Sequence, residues 1–130
     1  MFIIDKKNFK VVKDKNIIGS NYKSKIDKIN ENDILTFYLK NPQCTISGIG
    51  KVASKYQDNT KIFEFGLYSY RLKIKSLNIF EKPINFRDLL DKLSFIKNKS
   101  KWQLHLFGSR GLRELSKNDF DIINNYNTTK

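Results

Sequence analysis

The sequence predicts one α+β domain, a small, curved, mixed β-barrel of about five or six strands with about three flanking helices. Three observations lead there. Stretches with period-two alternation and β-branched residues, such as "DILTFYL" and "CTISGIGKVASKYQ", stand apart from stretches with helical spacing and caps, such as "NFRDLLDKL". Strands and helices are therefore segregated rather than strictly alternating. The apolar parity of "YSYRLKIKSLNIF" switches midway, as happens where a strand turns a barrel corner. Finally, 130 residues with 39% apolar and 13% aromatic content suffice for one core but not for two independent ones. No repeat or linker divides the chain, so a single domain is expected over 1–130, with the polar 124–130 segment as a frayed tail.

Taken in order, "FII" reads as a short strand, and Asp5 caps a helix that places Phe9 and Val12 on one face and ends near Lys15. Gly19 permits a bend before a basic turn or short helix carrying Ile26 and Ile29. In "DILTFYL", Leu35, Phe37 and Leu39 share one face and Ile34, Thr36 and Tyr38 the other, which predicts a strand covered on both sides. After the turn "KNPQ", Gly48 and Gly50 share one face of the next strand and allow tight curvature or a close approach. A bulge near Lys75 and Ser76 reconciles Tyr70, Leu72 and Ile74 with Leu77 and Ile79. "NFRDLLDKL" predicts a helix capped by Asn85, packing Phe86, Leu89, Leu90 and Leu93 on the sheet. "WQLHLF" alternates as a closing strand with Trp102 in the core, and Ser116 with Asp119 opens a last helix bearing Phe120 and Ile123.

Charge is the strongest compositional signal. Twenty-five Lys and Arg against 13 Asp and Glu give a net charge of +12, a field that attracts polyanions. Richness in Lys, Asn and Ile also follows from AT-biased coding, so the charge alone assigns no ligand. The single Cys44 cannot pair within the chain, and with the single His105 it cannot build a zinc or iron site, so no metal or cofactor is expected. "MFIIDKKNFK" contains no signal-peptide core and no apolar run is long enough to span a bilayer, which predicts a cytoplasmic protein without membrane contact. A Cys44–His105 nucleophile pair lacks any signature for an orienting third group, the carboxylates sit at caps or among lysines, and "SGIGK" lacks P-loop spacing. No catalytic residue is therefore expected. What remains is basic residues interleaved with aromatics: from Ser94 to Lys117 there are six Lys or Arg against one Glu, with Phe95, Trp102 and Phe107 among them.

The order of "KNFKVVKDKNIIG", "NDILTFYL", "SGIGKVASKYQDNTKIF", "YSYRLKI", "LSFIKNKSKW" and "LHLFGSRGLREL" resembles an EVE domain of the archaeal type, from about Lys7 to Ile123. That family is PUA-like and similar to YTH domains, which hold a methylated adenine of RNA in an aromatic cage; several EVE domains are implicated in reading modified cytosine in DNA. The resemblance implies a non-catalytic module that binds RNA or DNA and places one flipped, modified or unmodified base in a partly aromatic pocket. Its expected partners are nucleic acid and a separate effector protein. The implied pocket comprises Asp5, Ile18, Ser20, Asn21, Tyr38, Phe63 and Phe65, and the implied phosphate contacts are Lys23, Lys25, Arg110 and Arg113. Two departures stand out. Ile18 occupies a position where related domains often carry tryptophan, and the start of this chain does not supply the tryptophan usual in the family's N-terminal strand. They motivate the alternative of a protein-interaction or adaptor domain with a degenerate base pocket.

Overall fold

The first helix begins where its cap predicts. Asp5 is extended, its Oδ1 accepts the Asn8 N–H at 2.8 Å, and α1 runs Lys6–Lys15 until Asn16 enters the left-handed region. The computed structural model describes residues 1–40, 42–106 and 112–129. Around α1 these residues form strands β1 (Phe2–Ile4), β2 (Ile17–Ser20), β3 (Ile34–Leu39), β4 (Thr45–Gln57) and β5 (Tyr70–Asn85), with helices α2 (Lys23–Asp27) and α3 (Lys117–Thr129). The order in the sheet is β1-β3-β4-β5-β2. β1 lies parallel to β3, with Phe2 opposite Phe37, and every other pairing is antiparallel. The sheet curls into a half-barrel whose two edge strands are β1 and β2.

Curvature arises where the sequence places it. On β5 the register steps from Lys75 to Asn78 while β4 advances only from Lys51 to Ile49, and Ser76 takes φ 52°. This is the bulge that the parity switch requires. Opposite it, a Cβ on Gly50 would lie 2.5 Å from Ile74 Cγ2, so β5 closes over a position that only glycine leaves open.

Both faces of the sheet are covered, as the pattern of β3 predicts, except at Ile34, which opens the strand 50% exposed. Leu35, Phe37 and Leu39 join Phe9, Val12, Ile18 and Leu72 in one cluster beneath α1, while Tyr38 joins Ile46, Phe86, Leu89, Trp102 and Ile123 in another beneath α3. Asp119 is buried at the start of α3: Ser116 Oγ accepts its N–H, and its carboxylate accepts the N–H and the hydroxyl of Ser94 at 2.9 and 2.7 Å.

Three expectations need correction. "NFRDLLDKL" forms only a 3-10 helix, Phe86–Leu89, before turning; Asn85 does cap it, and Phe86, Leu89 and Leu93 are buried. An i, i+3 apolar repeat serves a three-residue turn as well as an α-helix. "WQLHLF" is not a strand, since Trp102–His105 is also a 3-10 helix. Trp102 does enter the core, 5.2 Å from the Phe86 ring, and Leu106, four residues on, joins the same cluster. The segment expected as a tail continues α3 through Thr129. Among the described residues no helix is long and apolar enough to cross a membrane.

Candidate functional site

A cavity of about 660 Å³ opens at the seam where the half-barrel stays unclosed, between β1 and β2. One wall comes from β1 with Asp5 and Asn8, and the other from Gly19 to Tyr22. Tyr38 and Lys40 arrive from the end of β3, and Phe63 with Tyr68 from the loop joining β4 to β5. Its size falls within the range of about 300–1,000 Å³ usual for small-molecule sites.

The loop over residues 58–69 is held by a buried cation. Arg71, 1% exposed, donates from Nε to the Tyr68 carbonyl at 3.2 Å and from Nη2 to the carbonyls of Leu67, at 3.0 Å, and Thr60. Its Nη1 lies 3.5 Å from Asp58 Oδ2, and its guanidinium 5.5 Å from the Phe63 ring centre. Asp58 also accepts the Thr60 N–H, and hydrogen bonds from the Thr60 backbone and side chain, then the Arg71 charge, hold its carboxyl below the usual carboxylate range. Two cavity residues complete the fastening: Asn8 Oδ1 accepts the Glu64 N–H and Asn21 Oδ1 accepts the Tyr68 N–H, each at 3.1 Å. Phe63 and Tyr68 thereby meet edge to face, 5.4 Å apart. Gly19 makes this docking possible, because a Cβ there would come within 2.6 Å of the Tyr68 carbonyl and 2.7 Å of Phe63 Cε2.

The polar groups differ in what they have left to offer. Ser20 Oγ accepts the Tyr22 N–H at 3.0 Å, which leaves its hydroxyl proton to give. Asn21 uses its oxygen on the loop and keeps its amide donors. The Tyr38 hydroxyl is pushed well above the ordinary tyrosine range by burial and by its hydrogen bond with Cys44, so it stays neutral. Lys25 stands at the mouth with Nζ 4.2 Å from the Phe2 ring centre. Burial first, then the neighbouring Lys40, lowers its pKa to about 8.

Of the residues singled out in the sequence, Asp5, Ser20, Asn21, Tyr38, Phe63 and Lys25 all line this cavity. Ile18 does not: it is fully buried in the cluster beneath α1, opposite Leu72 on β5. Phe65 also lies outside, 61% exposed beneath the Lys7 ammonium. Lys23 pairs with Asp27 on the outer face of α2 at 2.9 Å. Arg113 stacks 4.7 Å from the Phe95 ring centre and borders a second, more polar cavity of about 800 Å³ that shares Lys25 with the first. Arg110 and the His105 side chain lie outside the described residues. Sequence reasoning missed Phe2, Tyr68, Lys40 and above all Arg71, whose place in "YRLK" reads as an ordinary outward charge on a strand.

The EVE domain family matches residues 6–126. The chain belongs to the EVE domain family. This is a PUA-like family whose domains generally bind nucleic acid. The EVE domain described here is 37% identical to a UPF0310 protein of Pyrococcus abyssi, over 93% of each chain. It is 34% identical to a UPF0310 protein of Pyrococcus horikoshii, over 93% of this chain and 92% of that one. A crystal structure of a protein from Pseudomonas putida superposes with a TM-score of 0.67 at 12% identity, covering 98% of this chain and 97% of the other, a likeness of fold.

Proposed function

We propose that this EVE domain is a non-catalytic nucleic-acid-binding module that receives one unstacked base, including a modified one, in the seam cavity. The observation that carries this reading is the pairing, in a single cavity, of the aromatic rings of Phe2, Tyr22, Phe63 and Tyr68 with the hydrogen-bonding groups of Ser20 and Asn21. Planar heteroaromatic rings gain about 1–3 kcal/mol from each aromatic partner, and donors on the wall test the base edge. Lys25 and Lys40 at the mouth suit the phosphates that flank such a base.

The adaptor alternative rests on lost aromatic walls. Its premise is weak here, because Phe2 and Tyr68 bring aromatic rings to the cavity independently of position 18.

The test is a panel of modified and unmodified oligonucleotides measured at two salt concentrations. Affinity should fall steeply with salt, as expected for a chain of net charge +12. Phe63→Ala should weaken a preferred modified oligonucleotide by about 1–3 kcal/mol and its unmodified control by less. Equal losses on both would remove base recognition from the reading and leave only general attraction of a polyanion.

A further inference from the structure

The loop that walls the cavity also holds two large apolar side chains in water. Phe65 is 61% exposed and Leu67 47%. Scattered exposed apolar residues need no explanation, but these two sit on a backbone that is tied down. Asn8 accepts the N–H of Glu64, Arg71 donates to the carbonyl of Leu67, and Asn21 accepts the N–H of Tyr68. They flank Gly66, whose nearest neighbours include Asn21 and Tyr68, both members of the cavity wall. A loop anchored by Asn21 and by the buried Asn8 and Arg71 that still presents Phe and Leu to solvent is a display surface.

Building on the base-pocket reading, we propose that Phe65 and Leu67 form an apolar wedge that enters the base stack of a nucleic-acid duplex, beside the nucleotide whose base occupies the cavity. Taking a base out of a duplex breaks stacking on both sides and leaves a gap, and Phe and Leu are residues that fill such steps. The surroundings match this occupant in charge. The Lys7 ammonium lies 5.6 Å from the Phe65 ring centre and 3.8 Å from the Glu64 carboxylate, within a chain of net charge +12, so a phosphate backbone meets a basic surface overall and can compete with Glu64 for one ammonium at the root of the wedge. The same loop thus bears an inward ring, Phe63, for the extracted base and outward side chains for the gap it leaves. A single strand has no gap to fill, so the wedge makes a duplex the preferred ligand.

The experiment compares the full chain with Phe65→Ser/Leu67→Ser and with Phe63→Ala. The probes are a DNA duplex and an RNA duplex, each with a central 5-methylcytosine next to 2-aminopurine, and the corresponding unpaired strands. Both wedge residues are exposed, so the double variant should keep the wild-type melting temperature. We expect it to retain single-strand affinity within about two-fold and to lose about ten-fold, about 1.4 kcal/mol, on at least one duplex. The rise in 2-aminopurine fluorescence that accompanies unstacking should vanish with it. Should the double variant weaken neither duplex while Phe63→Ala still weakens binding, the wedge is overturned and the base pocket stands. Equal losses on duplex and single strand would likewise overturn it. An inert Phe63→Ala would overturn the pocket, and the wedge with it.

Discussion

Arg71→Met removes the fork that holds the cavity's outer wall. Methionine fills much of the same buried space but supplies no donor, so the carbonyls of Thr60, Leu67 and Tyr68 lose their shared partner. A buried acceptor left without a partner costs about 1–3 kcal/mol. These three belong to a loop with exposed neighbours, which places each near the lower figure, and together they come to about 3 kcal/mol, the low end for breaking a buried charge network. At about 4 °C per kcal/mol for a chain of this size, the midpoint of thermal unfolding should fall by about 10 °C. If the loop instead opens locally, the midpoint moves less, and amide exchange should accelerate at Asp58, Glu64 and Tyr68, whose N–H groups bond to Ser69, Asn8 and Asn21. Either route displaces Phe63 and Tyr68, so oligonucleotide binding should weaken as well. Arg71→Lys separates charge from geometry: an ammonium keeps the charge but cannot reach three carbonyls in different directions, so it should rescue only part of the loss. A Met variant with an unchanged midpoint and unchanged exchange in residues 58–69 would refute this account of the loop.

Gly19→Ala should destabilise the fold by about 1–3 kcal/mol and weaken binding, because its Cβ would press on the backbone of Tyr68. Gly66→Ala, whose Cβ meets nothing closer than 3.6 Å, is the matched control and should leave the urea midpoint in place. Lys25 has a pKa of about 8 in the folded chain against 10.5 for an unperturbed lysine, so between these values the unfolded chain binds more protons. Its contribution to stability therefore rises with pH across that window, by at most about 3 kcal/mol and by less because part of the side chain remains in water. Affinity for a phosphate-bearing ligand should move the opposite way, falling as pH passes 8, and Lys25→Gln should flatten both profiles relative to the wild type. Asp119→Ala should cost about 2–3 kcal/mol in a urea titration by releasing both Ser94 donors, with Asp119→Asn losing less.

Local chemistry was readable wherever one side chain decides a backbone state. Asp5 and Ser116 cap the helices they were expected to cap, and the parity switch located the bulge at Ser76. The alternation of β3 foretold burial on two faces. Resemblance to the EVE family names Asp5, Ser20, Asn21, Tyr38, Phe63 and Lys25, and these six line one cavity. Ile18 and Phe65 show the limit of that approach, since residue-by-residue transfer names a position but not which way its side chain faces. Ile18 lies in the core, and Phe65 follows the loop out into water. The two 3-10 helices escaped because an apolar repeat of three or two residues does not distinguish a tight turn from a helix or a strand.

By itself the sequence determined the charge of +12, the caps, the bulge, the two-faced strand and the family, because each follows from residue types within a few positions of one another. Only the tertiary structure decided that a curled sheet leaves β1 and β2 unjoined, and that Arg71, far from the seam in pattern, holds the loop that walls it. Those facts depend on pairings across as many as 56 residues, such as Asn8 with Glu64, and on carbonyls that every residue possesses alike. A backbone acceptor carries no sequence signature, so the cation that gathers three of them is visible only once the chain has folded.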